Sequence, residues 1–308
     1  MKISVVTTMY RSASYIKEFY ERTVAALGDD FEEREIVIVN DGSPDNSHEV
    51  VQGLMQDSDD IVLVELSRNY GHHNAAMEGI RQATGDLIFY SDCDLEEPPE
   101  LVSAFHKEWR KDQSYDLLYG VQEERKGGFF RRLGGALFYK AINFLSAAEI
   151  PHNVSMTRLM TRKFVDDLLK YDERNFYIDG IFALTGYKQK ALIVPKIYKG
   201  DTTYNLGRKV NLAIEGLLSQ SDRLLLAVFF SGLLISLISA LFVLYLFYQK
   251  LILAITIDGW TGLMVSVWFL GGGIILSIGI VGLYVGKIFI ETKKRPHVIV
   301  KNRISKSN

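Results

Sequence analysis

Asp92 and Asp94 stand one residue apart in the run "YSDCDLEEPPEL", and Glu96, Glu97 and Glu100 follow closely. Carboxylates this crowded repel one another, and two kinds of chemistry offset that. Two carboxylates on alternate positions of a turn can face a common centre as hard oxygen ligands for Mg²⁺ or Mn²⁺. An ion held there and shared with a diphosphate would stabilise a departing nucleoside diphosphate. The structural alternative is a helix start, where acidic side chains gain about 0.3–1 kcal/mol from the helix dipole. A bare D-x-D fits both readings, so its company decides. Cys93, between the aspartates, is expected to pack inward as a lone reduced thiol.

The elements that must position this pair are legible as alternating patterns. "ISVVTTMY", "EIVIVN", "IVLVEL", "DLIFYS" and "DLLYGV" are apolar, β-rich runs. Helical spacing is expected over Ser14–Leu27, His48–Met55 and Asn74–Gln82, with Pro98 and Pro99 opening a helix that runs to Lys111. Strands alternating with helices imply a parallel sheet covered on both faces, with ligands bound outside the carboxyl ends of the strands. Four successive strands then deliver Thr8 and Tyr10, Asn40 and Asp41, Arg68 and Asn69, and Asp92 and Asp94 to one rim. The first strand is followed by "TTMYRSAS" rather than G-x-G-x-x-G, and no P-loop occurs in the chain. Phosphate binding therefore falls to a metal and to basic side chains.

The 308 residues allow one sizeable domain and an appendage. A formal charge of −2 gives no argument for nucleic acid, and one cysteine excludes an internal disulfide and a multi-thiolate zinc site. No cleavable signal precedes the first strand, which predicts a cytosolic N-terminal part. Two apolar runs, Leu224–Tyr248 and Leu263–Ile288, are each long enough to span a bilayer. Arg208, Lys209 and Arg223 precede the first run, and Lys287, Lys293, Lys294 and Arg295 close the second. The linker offers Lys250 against Asp258. The positive-inside rule predicts a membrane hairpin with both termini cytoplasmic. The segment "RRLGGALFYKAINFLSAA" reads either as a core helix with a basic face or as an interfacial helix on the bilayer, and the spans favour the second.

Taken in order, "VVTTMYRSASYI", "IVIVNDGSPDNS", "LSRNYGHHNAAMEGI", "ATGDLIFYSDCDLEEPPE" and the final "ETKKRP" resemble the family 2 glycosyltransferases that act on polyprenyl phosphates, including bacterial polyisoprenyl-phosphate glycosyltransferases and dolichyl-phosphate mannose synthase. The resemblance covers nearly the whole chain. It implies a GT-A (Rossmann-like) domain over 1–128 and an acceptor-side region with interfacial amphipathic helices over 129–222. Two transmembrane helices over 223–290 and a cytoplasmic tail over 291–308 complete the expected order. By position it assigns Thr8, Tyr10, Asn40 and Asp41 to base and ribose, and Arg68 and Asn69 to the nucleotide. It assigns Asp92, Asp94 and Glu96 to Mg²⁺ or Mn²⁺, and Arg125 and Arg131 to donor or acceptor phosphates. Arg208 or Lys209 would meet the acceptor phosphate.

The implied reaction is inverting transfer of one sugar from a nucleotide, UDP by resemblance, to undecaprenyl phosphate at a bacterial inner membrane, by a homo-oligomer. The chain departs from the family pattern at four places: Asn40 for aspartate, His72 for lysine, Glu96 for glutamine, and "SMTRL" where G-D-F-R-L is usual, so that only Arg158 and Leu159 align there. A phosphate oxygen already ionised near neutral pH can attack without a base, so the chemistry rests on positioning and charge stabilisation. The rival readings are a transferase that extends a glycan and a silent sugar-nucleotide binder that scaffolds a membrane complex. The adjacent His72 and His73 are expected to point apart rather than bind zinc. "NVS" at 153–155 is an idle sequon in a cytosolic domain, and Gly271–Gly273 serve helix packing.

Overall fold

The computed structural model describes residues 1–122, 154–173, 178–195 and 259–306, with scattered helical positions between 225 and 248. Arg125, Arg131, Arg208, Lys209, the expected interfacial helices and most of the first apolar run lie outside the described residues.

The first four strands follow the expected pattern: β1 (Lys2–Met9), β2 (Glu33–Asn40), β3 (Ile61–Leu66) and β4 (Leu87–Tyr90). They pair in parallel in the order β3-β2-β1-β4. Alternate residues feed two cores. Val5, Ile36, Ile38 and Phe89 pack on one face, while Val6, Val37, Val39 and Ile88 pack on the other. Burial on both faces explains why these strands read as continuous apolar runs. Helices α1 (Ile16–Leu27), α2 (Ser47–Asp57), α3 (His72–Gln82) and α4 (Leu101–Lys111) follow the successive strands. Helix α3 sits close to the sheet, because a Cβ on Gly79 would stand 2.5 Å from the Val6 side chain.

Beyond β4 the sheet is mixed rather than parallel throughout. Strand β6 (Val154–Thr161) inserts between β4 and β5 (Leu117–Gln122), antiparallel to both, and β7 (Gln189–Val194) runs parallel to β5. Glu97 holds this insertion: it accepts from Ser155 Oγ at 2.6 Å and from the Thr157 hydroxyl, both on β6. Two short helices, α5 (Arg162–Leu168) and α6 (Ile178–Leu184), follow β6.

The long helix α7 (Trp260–Thr292) contains a 23-residue apolar window, Leu270–Thr292, none of it buried. Ile274, Ile275 and Leu276 are 60–73% exposed along it. It is the one helix among the described residues long and apolar enough to cross a membrane; the other arm of the expected hairpin is not established. The expected tail over 291–308 instead carries β8 (Val300–Ser305), which pairs antiparallel with β3 and closes the sheet as β7-β5-β6-β4-β1-β2-β3-β8.

Candidate active site

The carboxyl ends of β1 to β4 form one rim, as parallel pairing requires. Thr8 lies there nearly buried, and Tyr10 is 45% exposed with the Arg11 guanidinium 5.6 Å from its ring centroid. Asn40 and Asp41 are buried. The Asn40 carboxamide oxygen accepts from Ser43 N at 2.8 Å, closing the turn after β2. Asp41 accepts from the amides of Tyr70 and Gly71 at 2.7 and 3.0 Å, joining the turn after β2 to the loop after β3. Gly42 completes that junction. Its φ is +63°, and a Cβ there would meet the Arg68 carbonyl carbon and Asn69 nitrogen at 2.6 Å. Of the two residues assigned to base and ribose at this turn, Asn40 thus closes the turn itself and Asp41 holds the loop that presents Arg68 and Asn69. Arg68 is exposed and lies 4.1 Å from the Tyr70 ring centroid.

The Asp92 side chain is 36% exposed and held by a phenol and an imidazole. Tyr90 OH donates to Asp92 Oδ1 at 2.9 Å, and His72 Nε2 lies 3.4 Å from the same oxygen. His72 Nδ1 is 3.2 Å from Thr8 Oγ1, which lies 3.4 Å from Tyr90 OH. These contacts form one network: the Tyr90 hydroxyl donates to Asp92, and His72 bridges Asp92 and Thr8 through its two ring nitrogens. Burial pushes the Tyr90 phenol well above its ordinary range, reinforced by the Asp92 charge, so it remains a donor. Asp94, half-buried, accepts from Glu96 N at 2.9 Å. Leu95 between them has a φ of 60°, a left-handed conformation disfavoured for a branched side chain. Burial pushes the Cys93 thiol up to about 12, and its Sγ donates to the Thr8 carbonyl, so it is an inert packing group.

Asp92 and Asp94 fit a hard divalent cation. Both are oxygen donors on the rim, and Asp92 is oriented by a phenol and an imidazole, as metal-ligating carboxylates usually are. The structure does not bring Glu96 together with them: among the described residues no three His, Cys, Asp or Glu groups form a metal-holding cluster. Two carboxylates completed by substrate oxygens match the way Mg²⁺ is usually held. Of the remaining acidic residues, Glu97 anchors β6, and Glu100 takes a two-armed contact from Arg22 at 2.8 Å for each arm. The acidic run is therefore divided between rim ligands and structural anchors.

Sequence reasoning gave no role to His72, Tyr90 or the pair Arg158–Asp179. In the sheet Arg158 stands opposite Tyr90. It is 2% exposed, donates through Nη2 to Asp179 at the start of α6, and lies 4.1 Å from the Phe182 ring centroid. Its Nε and Nη1 have no hydrogen-bond partner among the described residues. Both residues line a cavity of about 220 Å³ with Leu117, Tyr119 and Gln189. Asp179 thus supplies a carboxylate in the half of the molecule where "SMTRL" lacks one. The His72 and His73 rings diverge at 62°, as their adjacency predicts.

A mixed sheet of this order, with paired aspartates just beyond β4, defines a GT-A-type glycosyltransferase domain. Residues 4–169 match the family described as glycosyl transferase family 2, and the chain belongs to that family. A Mycobacterium tuberculosis (strain CDC 1551 / Oshkosh) protein whose name places it among glycosyltransferases is 38% identical, over 98% of this chain and 88% of its own. The bactoprenol glucosyl transferase of Shigella phage SfV is 31% identical over 99% of this chain and 100% of its own. Among solved structures, glucosyl-3-phosphoglycerate synthase from Mycobacterium tuberculosis, with phosphoglyceric acid, superposes with a TM-score of 0.50 at 17% identity. That match covers 72% of this chain and 80% of the other, and supports the fold alone.

Proposed function

We propose that this protein is an inverting glycosyltransferase that moves one sugar from a nucleotide donor, UDP-linked by resemblance, to the phosphate of a polyprenyl lipid such as undecaprenyl phosphate. The observation that carries the reading is the Thr8–His72–Tyr90–Asp92 network beside Asp94, at the carboxyl rim of four parallel strands. The whole-length similarity to a bactoprenol glucosyl transferase supports the acceptor class.

Asp92 and Asp94 would hold Mg²⁺ or Mn²⁺, which supplies charge stabilisation to the departing nucleoside diphosphate. Tyr90 and His72 fix the Asp92 carboxylate in one orientation. Tyr10 offers an aromatic face to the base, and Arg68 a cation to the nucleotide phosphates. Asn40, Asp41 and Asn69 hold or line the loops between them. The acceptor oxygen arrives ionised, so these groups position the reactants and need not remove a proton.

The topology supports a second membrane crossing. Strands β1 and β8 lie in one sheet, so both chain ends are on the same side of any membrane that α7 crosses. A crossing α7 then fits the reading in which the apolar run Leu224–Tyr248 is the other arm of a hairpin. With cations following α7, the sheet belongs on the cytoplasmic side.

The test is to incubate the protein in detergent with undecaprenyl phosphate, Mg²⁺ and radiolabelled UDP-, GDP- and dTDP-sugars. Label is expected in the organic phase from one donor. Nucleotide binding with no label from any donor would replace this reading with a silent binder or a different acceptor.

A further inference from the structure

Helix α7 carries an apolar surface to the edge of a cation cluster. At about 1.5 Å per residue, the window Leu270–Thr292 extends about 35 Å, slightly more than a bilayer core of about 30 Å. A helix crossing with this window places its last turn at the level of the lipid phosphates. There the chain reads "TKKRPHV", with Lys293, Lys294 and Arg295 exposed. Lys294 turns the backbone with a φ of 46°. Among the described residues these three cations form no ion pair, whereas His297 is matched by Asp172, Nε2 to Oδ1, at 2.7 Å. Glu291, the acidic residue of this turn, acts on Glu173, whose carboxyl burial and Glu291 together push up.

A cavity of about 230 Å³ opens at this foot, lined by Phe289, Ile290, Lys293, Arg295, His297 and Asn74. One wall is apolar and continues the membrane-facing helix; the other is cationic. Lys293 Nζ lies 3.9 Å from the Phe289 ring centroid, so the charge sits directly against the apolar wall. The cavity is also tied to the rim. Asn74 is two residues beyond His72, which touches Asp92. On its other flank, the Ile299 carbonyl accepts from Ser67 N at 2.9 Å, one residue before Arg68.

We propose that this cavity is the entry site for the phosphate of the lipid acceptor. Lys293 and Arg295 take the phosphate oxygens at headgroup level, and Phe289 and Ile290 cover the first carbons of the chain. The inference rests on the lipid-acceptor reading above and adds a site to it. Bulk phospholipids carry related phosphate chemistry. The link from the cavity to His72 and Ser67 favours the lipid that must reach the reaction centre.

Native mass spectrometry of the full chain in detergent tests it, using undecaprenyl phosphate, undecaprenol and phosphatidylglycerol as probes. The wild type is expected to bind undecaprenyl phosphate in preference to the other two. Lys293→Gln/Arg295→Gln is expected to weaken that binding about tenfold or more, and to raise the acceptor KM by a similar factor with kcat within about twofold. Lys293→Arg and Arg295→Lys, which keep the charge, are expected to recover most of the loss. Unchanged acceptor affinity in the double variant would overturn the proposal. So would an equal loss for phosphatidylglycerol, which would assign the cations to bulk lipid. Specific binding by a wild type that transfers no sugar would overturn the catalytic reading and leave the binding site standing.

Discussion

Asp92 and Asp179 are carboxylates near the end of β4, and the protein holds them in opposite ways. Asp92 is 36% exposed and gripped by a phenol and an imidazole, which orient it at the rim. Asp179 is 15% exposed and paired with the buried guanidinium of Arg158, a full cation. The rim of the parallel strands keeps negative charge available to a cation from outside. The antiparallel half pairs its charge internally. Whether a carboxylate serves chemistry or structure is decided here by its exposure and its partner, not by its residue type.

The largest expected effect separates the two directly. Asp92→Ala or Asp94→Ala should lower turnover by about a thousandfold or more while leaving the thermal midpoint in detergent near that of the wild type. Full activity in either variant, or in excess chelator, would remove the metal from the rim. Asp179→Ala should do the converse: it leaves the Arg158 charge buried and unmatched, which costs about 3–5 kcal/mol of stability. The thermal midpoint measures it, and Arg158→Met/Asp179→Leu should restore much of the loss by removing both charges. A stable Asp179→Ala protein with normal turnover would break the contrast.

The same contrast marks what the sequence makes legible. Strands β1 to β4 are readable because burial on both faces forces apolar runs, and polar residues mark their ends. Thr8, Asp41, Arg68, Asp92 and Asp94 follow from the rim rule alone. Strand direction leaves no such trace, so the antiparallel insertion of β6 is not readable. Arg158 and Asp179 meet across two elements, and no spacing encodes that contact. Strand β8 hides for a different reason. At the sheet edge it carries Lys301 and Arg303 facing solvent, the charged pattern by which edge strands avoid pairing with other chains, so it reads as a tail. His72 was visible only as a departure from a lysine; its reach to Asp92 depends on the close seat of α3 against Val6 and Val39. The roles of Asn40 and Asp41 in closing loops are likewise set by partners three and about thirty residues away.

Asp45 extends the comparison to a third carboxylate, and carries the smallest effect. Burial works against its charge, but the hydroxyls of Ser43 and Ser47 and the amides of Ala13 and Ser47 outweigh that and hold it down to about 2. Neutral donors alone therefore hold the Asp45 carboxyl below its ordinary range. Since the folded value lies below the ordinary 3.8, the stabilisation is fully present above about pH 4 and is lost as pH falls toward 2. Asp45→Asn removes the titrating group. Its thermal midpoint should lie below the wild type at pH 6, and the two should converge between pH 4 and 2.5. Parallel curves over that range would mean that the hydroxyls and amides around Asp45 do not distinguish its charged from its neutral form, and Asp45 would drop out of the comparison.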